Sequence, residues 1–201
     1  MKLYYAPNTC SLSPHIVLCE LELEFELVKV DNKNKLTADG RDFRTINPKG
    51  YVAALELDDG QILTEGPAIV QYLADSKPEK GLAPPADSWD RVRLQEWLNF
   101  ITSEIHAGSA PLFNPTLPEN VRAIFREKLF RQFDFLQVTL NEKTYLTGPT
   151  FSVADAYLFT VLGWSRFFSI ELHRWPALSA YMDIISARPA VQAALIAEAP
   201  Q

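Results

Sequence analysis

The sequence predicts an α/β unit with the element order β-α-β-α-β-β-α, followed by a unit built from helices alone. Three observations carry this reading. Short strand patterns alternate with helix-start signals up to about residue 75. Residues 76–87, Ser-Lys-Pro-Glu-Lys-Gly-Leu-Ala-Pro-Pro-Ala-Asp, then break the pattern, because their prolines and glycine can continue neither a helix nor a central strand. Beyond the break the apolar period is helical throughout. The division expected is 1–77 for the α/β unit, 78–87 for the linker and 88–201 for the helical unit. A chain of 201 residues, 47% hydrophobic and 22% charged, can bury its cores without staples.

Taken in order, Lys2–Tyr5 reads as a strand, and Ser13-Pro14 gives a helix N-cap followed by proline at the first helical position, with the helix running to about Glu22. Phe25–Val30 is a second strand, and a short helical piece near Asp42–Ile46 ends at Asn47-Pro48-Lys49-Gly50. Ala54–Leu57 and Gln61–Leu63 flank Asp58-Asp59-Gly60, a hairpin signal, after which Gly66-Pro67 opens a helix to about Asp75. A parallel strand pair extended by an antiparallel hairpin is the thioredoxin-like plan. In the second half, Leu94, Trp97, Leu98, Ile101 and Ile105 form one helical stripe, and Val121, Phe125, Leu129, Phe133, Leu136 and Leu140 form another. Val153–Trp164 is apolar nearly all round, which predicts a helix buried on every side; two shorter helices near Ala177–Ala187 and Ala190–Glu198 finish the chain.

Composition excludes several functions. The net charge is -6, and no Lys/Arg run approaches a basic stripe, which argues against nucleic acid as a partner. Two cysteines make no disulfide framework and fit a reducing compartment. The N-terminus lacks a long apolar h-region, and no apolar run is long enough to span a bilayer, so the expected location is the cytoplasm and no membrane partner is expected. No His/Cys/Asp spacing suggests a metal site, and no glycine-rich phosphate loop is present.

Cys10 lies in the loop between the first strand and the first helix. There the unpaired N–H groups of a helix start favour a thiolate, yet a small packing cysteine fits the position equally well. Cys19, inside the helix beside Val17, Leu18 and Leu21, reads as packing. Glu65 precedes the Gly66-Pro67 helix start, so a carboxylate and free first-turn N–H groups stand together, matching the two ends of an α-amino acid head group. The same residues also suit ordinary helix-start chemistry. Ser152 with Asp155 three residues on resembles a capping box and reads as structural. His106 closes the long helix opened near Ser88, whereas His15 and His173 have no interpretable neighbours.

The motifs Cys10-Ser11-Leu12-Ser13, Asn47-Pro48-Lys49-Gly50, Leu63-Thr64-Glu65-Gly66, Glu96-Trp97-Leu98-Asn99, Pro111-Leu112-Phe113 and Ser152-Val153-Ala154-Asp155-Ala156-Tyr157-Leu158-Phe159 together resemble the bacterial beta-class glutathione transferases, in order and spacing across nearly the whole chain. The resemblance implies the cytosolic glutathione transferase architecture, a homodimer, and glutathione as co-substrate with no permanently bound cofactor. It implies Cys10 as the active-site cysteine beside the glutathione sulfur, Lys35 at the glycyl end, and the Val52 main chain pairing with the cysteinyl backbone. Glu65 and Gly66 take the γ-glutamyl end; many relatives have serine at the latter position, and glycine keeps the N–H while losing the hydroxyl. Asn99, Ser103 and His106 line the site from the helical half, Asn99 and Ser103 reaching over from the partner subunit, with His106 ranked beside Cys10 as catalytic. Phe113 and Trp164 then form the wall for a small hydrophobic electrophile.

Two departures stand out. The family has proline after the glutathione-pairing valine, in cis, where this chain has Val52-Ala53. A cis bond before a non-proline residue costs roughly 2.5–4 kcal/mol, so a trans bond is expected, with a reshaped loop and weakened glutathione binding. Ala107 stands where relatives often have lysine. The function expected is conjugation of reduced glutathione to small hydrophobic electrophiles, with monothiol disulfide exchange or peroxidase chemistry through Cys10 as a second use of the site. The alternative is a non-catalytic, transferase-like binder of hydrophobic ligands or protein partners.

Overall fold

In the computed structural model, which describes residues 1–199, Lys2–Tyr5 forms β1, the central strand of a five-stranded sheet of order β3-β2-β1-β4-β5. Its Leu3, Tyr4 and Tyr5 are all buried, as expected for a strand covered on both faces. Glu26–Asp31 forms β2, parallel to β1; Leu36–Thr37 (β3), Ala54–Glu56 (β4) and Ile62–Thr64 (β5) join antiparallel. Two helices belong to this part, α1 (Leu12–Glu20) and α2 (Gly66–Ser76). One core gathers Tyr4, Val28, Val30, Phe43, Val52 and Ala54, with the Tyr4 and Phe43 rings 5.7 Å apart.

Local details differ from the sequence reading for identifiable reasons. Helix α1 starts at Leu12, with Ser11 as N-cap rather than Ser13, because Leu12 and Ser13 already donate to the Thr9 and Cys10 carbonyls. It stops at Glu20, and Glu22 takes a left-handed φ of 50° that no helix continues. The piece expected at Asp42–Ile46 is a single 3-10 turn, Phe43–Thr45, capped by Asp42 accepting from the Arg44 N–H. Strand β3 has only two residues, too few to show an alternation in sequence.

The helical half opens with α3 (Trp89–Phe100), whose N-cap Ser88 accepts from the Arg91 N–H. A π-turn, Ile101–His106, widens the helix before α4 (Ala107–Ser109) and a 3-10 turn, Ala110–Phe113. The long α5 (Glu119–Asn141) buries Leu129, Phe133, Leu136 and Leu140, four members of the expected stripe. Every residue of α6 (Val153–Leu162) is buried, as its all-round apolar sequence requires. Its start is fixed by Asp155, whose carboxylate accepts from the Ser152 N–H (2.8 Å), the Ser152 hydroxyl (2.7 Å), the Leu146 N–H (2.9 Å) and the Tyr181 hydroxyl (3.0 Å). The capping box thus extends to α7 (Pro176–Ser186), which carries Tyr181. No helix among the described residues is long and apolar enough to cross a membrane.

The chain forms two compact units, and they are not the contiguous halves 1–77 and 88–201. Pro84–Ala187 is one unit; Met1–Ala83 together with the chain from Arg188 onward is the other. The last helix, α8 (Pro189–Glu198), packs on α1 and belongs to the sheet unit. Val191 and Ala194 are buried there, the Arg188 guanidinium forks onto the Glu20 carboxylate at 2.6 and 2.9 Å, and buried His15 places Nδ1 2.9 Å from Glu198 Oε1. An apolar period shows that a helix has a buried face, not which partner buries it. Positions 200 and 201 of the expected helical unit lie outside the described residues. Replacing Arg188 by methionine removes the fork while keeping the stem, and is expected to lower the unfolding free energy by about 1–2 kcal/mol. Urea unfolding checks this, and an unchanged midpoint would show the fork to be idle.

Candidate functional site

The sheet register gathers the first set of residues. Tyr4 pairs with Ala54, and Ala54 with Thr64. The chain leaving β1 toward Cys10, the chain entering β4 from Val52 and the chain leaving β5 toward Glu65 therefore meet at one end of the sheet. The parallel pairing of β1 with β2 brings the end of β2 there too, and β3 begins beside it just after Lys35. This is the carboxyl end of the parallel strands, where α/β sheets present their ligand sites.

The loop from β1 to α1 is held from beneath. Thr9 donates to the Ala6 carbonyl at 2.8 Å, and the Ser11 hydroxyl accepts from the Ala6 N–H at 3.2 Å. Cys10, half-buried, is thereby turned onto the Val52 loop, where its thiol donates to the Val52 carbonyl at 3.3 Å. Burial pushes the thiol up to about 11; N–H groups of Cys10 and Ala53 pull it down without offsetting burial, and the Glu65 carboxylate raises it further. Of the two readings open for Cys10, the thiolate is thus not favoured, because loss of water outweighs the field of a few N–H groups.

The Val52–Ala53 bond is cis, not trans as expected. Its setting is tertiary. Asn47 Nδ2 donates to the Tyr51 carbonyl at 2.7 Å, Val52 and Ala53 are both buried, and Cys10 holds the Val52 carbonyl. These contacts are invisible to a reading of local preference, and the reshaped trans loop does not form.

Glu65 is the N-cap of α2 at φ 71°, a left-handed conformation uncommon for a non-glycine residue. In the first turn Pro67 has no N–H, and Ala68 and Ile69 donate to the Glu65 carbonyl. Gly66 therefore presents the outward first-turn N–H beside an exposed Glu65 carboxylate. Lys49, not identified in advance, donates to Glu65 Oε1 at 2.6 Å and to the Thr64 hydroxyl at 3.1 Å. Lys35 donates to Asn32 at 2.9 Å, with its ammonium 5.4 Å from the centre of the Tyr51 ring.

The second set lies in the helical unit. The π-turn carries Ser103 and His106, and α3 carries Asn99; Asn99 and Ser103 are exposed. His106 Nδ1 lies 2.6 Å from the Tyr157 hydroxyl, so His106 is no mere helix-end residue. Its ring meets Trp164 edge-on at 4.8 Å, Trp164 meets Phe113 at 5.5 Å, and Phe113 meets Phe168 at 4.5 Å. The two residues expected to form an apolar wall, Phe113 and Trp164, do stand together, with His106 at its edge. Tyr157 belongs to the motif Ser152–Phe159, where its motif position alone assigns it no role. The signal for one was available: a tyrosine in a helix buried all round needs a partner for its hydroxyl.

Comparisons with known proteins agree across the chain. Residues 9–76 match the family model described as the glutathione S-transferase N-terminal domain, and residues 100–189 match that of the C-terminal domain. The glutathione S-transferase GstA of Escherichia coli O157:H7 is 44% identical over 198 residues, covering 98% of both chains. Among solved structures, a sphingomonad glutathione S-transferase complexed with glutathione aligns with a TM-score of 0.96 at 46% identity, covering 98% of each chain. A bacterial beta-class enzyme from Sphingomonas chungbukensis aligns at 0.95 and 43% identity, again over 98% of each.

Proposed function

The chain belongs to the glutathione S-transferase family, in its bacterial beta class, and we propose that it conjugates reduced glutathione to small hydrophobic electrophiles, working in the cytoplasm as a homodimer. The observation that carries the reading is the register that sets Cys10, Lys35, Val52 and Glu65 at one end of one sheet. A tripeptide with an amino acid head, a central thiol and a terminal carboxylate has a complement for each part there.

The Glu65 carboxylate takes the γ-glutamyl ammonium, and the Gly66 N–H at the start of α2 takes its carboxylate, aided by the positive end of the helix. The Val52 main chain pairs with the cysteinyl backbone, and Lys35 takes the glycyl carboxylate. Cys10 contributes as a neutral thiol: its S–H, already a donor to the Val52 carbonyl, turns to the glutathione sulfur and stabilises it as thiolate. The glutathione proton passes to water, its sulfur forms a bond to the electrophilic carbon, and the leaving group departs with its electron pair. Holding both reactants in place supplies much of the acceleration. The aromatic wall of Phe113 and Trp164 receives the electrophile, with His106 at its edge. Asn99 and Ser103, exposed on their helix, complete the glutathione site of a second subunit. Attack by Cys10 itself, which disulfide exchange needs, is disfavoured by its raised pKa.

Calorimetric titration of reduced glutathione into the protein tests this. Binding is expected in the wild type and at least tenfold weaker in Glu65→Ala, about 1.4 kcal/mol or more, with kcat/KM for an activated aryl chloride falling in parallel. No binding at millimolar glutathione, or equal binding by the variant, would sink the assignment.

A further inference from the structure

One oxygen of the Glu65 carboxylate is engaged and the other is open. Lys49 Nζ donates to Oε1 at 2.6 Å and to the Thr64 hydroxyl at 3.1 Å, while Oε2 has no donor among the described residues. An ammonium group has three N–H donors, so Lys49 keeps one in hand. The Glu65 side chain caps no N–H of α2, and the Gly66 N–H stands outward next to it. An open carboxylate oxygen, an unspent ammonium proton and a helix-start N–H therefore lie side by side, all within the sheet unit.

The fold sets Lys49 there deliberately on both sides. Its own turn is fixed by Asn47, which is 2% exposed: the Gly50 N–H donates to the Asn47 carbonyl at 2.8 Å, and the Lys49 N–H to Asn47 Oδ1 at 3.2 Å. The two acceptors of the ammonium, Thr64 and Glu65, are consecutive residues at the passage from β5 into α2. Stability gives little reason for the pair. Both side chains are more than half exposed, at 54% and 67%, and exposed ion pairs add little to folding.

Charge matching gives a better reason. The γ-glutamyl head group is a zwitterion, with an ammonium and a carboxylate on one carbon. The Glu65–Lys49 pair is its counterpart, so that when the two face each other the four charges alternate in sign. Glu65 alone would attract the ammonium and repel the carboxylate beside it. On the glutathione reading of Glu65, we infer that Lys49 is a binding residue for the γ-glutamyl carboxylate. It keeps its hold on Glu65 and gives its third N–H to that carboxylate, alongside the Gly66 N–H. Lys49 thus makes the site select a γ-glutamyl peptide over one that ends in an amine alone. A lysine that merely stands in for the ligand ammonium on Glu65, and must leave when glutathione arrives, would have the opposite effect on affinity.

Lys49→Met separates the two, titrated with glutathione and with 4-aminobutyryl-cysteinyl-glycine, which keeps the ammonium and lacks the α-carboxylate. Dissociation constants come from calorimetry, the weaker ligand by displacement. The variant is expected to bind glutathione at least fivefold more weakly than the wild type, and the 4-aminobutyryl peptide within twofold of it. The ligand carboxylate is then worth at least fivefold less to the variant than to the wild type. Tighter glutathione binding by the variant would make Lys49 a competitor of the ligand and overturn the inference. So would unchanged binding, or equal losses on both peptides. Each of these leaves the transferase reading intact so long as the wild type binds glutathione. A wild type that binds none would sink that reading, and the role of Lys49 with it.

Discussion

Asp155→Ala is expected to lower the unfolding free energy by about 4 kcal/mol while leaving turnover of the surviving folded protein near normal. The carboxylate is fully buried and accepts from the Leu146 N–H, the Ser152 N–H and hydroxyl, and the Tyr181 hydroxyl. Alanine removes the acceptor and strands these donors, each unmet group costing about 1–3 kcal/mol in a dry interior. The Ser152 hydroxyl can turn elsewhere, so the total falls short of the full sum. Burial pushes the Asp155 carboxyl up, but the four donors all act to hold it ionised. Urea unfolding with an unchanged slope and a lowered midpoint is the measurement. A loss below about 1 kcal/mol would mean that water replaces the carboxylate without strain. Preserved kcat separates this residue from a catalytic acid, a role that a buried carboxylate can also serve.

How much of this was legible in the sequence depends on the range of the interaction concerned. The hairpin at Asp58-Asp59-Gly60, the start of α2 at Gly66 and the capping box of α6 are local, and each is written in adjacent residue types. The pairing of Phe113 with Trp164 follows only from the resemblance, since nothing in their spacing brings them together. The attachment of α8 to α1 depends on Arg188 meeting Glu20 and on His15 meeting Glu198, partners 168 and 183 residues apart. The cis bond at Val52 lies where Asn47 and Cys10 hydrogen-bond the loop, contacts that the alanine following it does not announce. Lys49 read as a loop residue, and nothing in its neighbours announced an ammonium group 2.6 Å from Glu65. The charge state of Cys10 stays open in the sequence for a related reason: sequence shows a nearby helix start but not how much water the fold takes away.

That charge state supports the other large effect. Alkylation of Cys10 by iodoacetamide is expected to run at about one ten-thousandth of its plateau rate at pH 7, because the thiol is held at about 11 and only the thiolate reacts. The rate should climb tenfold per pH unit and bend only above pH 10 or so. Cys19, the other free thiol, is subtracted by running Cys10→Ser in parallel. A plateau reached by pH 8 would restore the thiolate and, with it, Cys10 as a nucleophile. The expected profile instead gives Cys10 the role of a donor, and substitution separates the two roles further. Serine at position 10 keeps a donor of similar reach but cannot form a disulfide, so conjugation should fall only a few-fold in Cys10→Ser and further in Cys10→Ala. Any disulfide exchange should vanish in both. The raised pKa works in favour of conjugation here: the lower the acidity of Cys10, the less it competes with the bound glutathione for the electrophile, and the more fully its proton remains available to the glutathione thiolate.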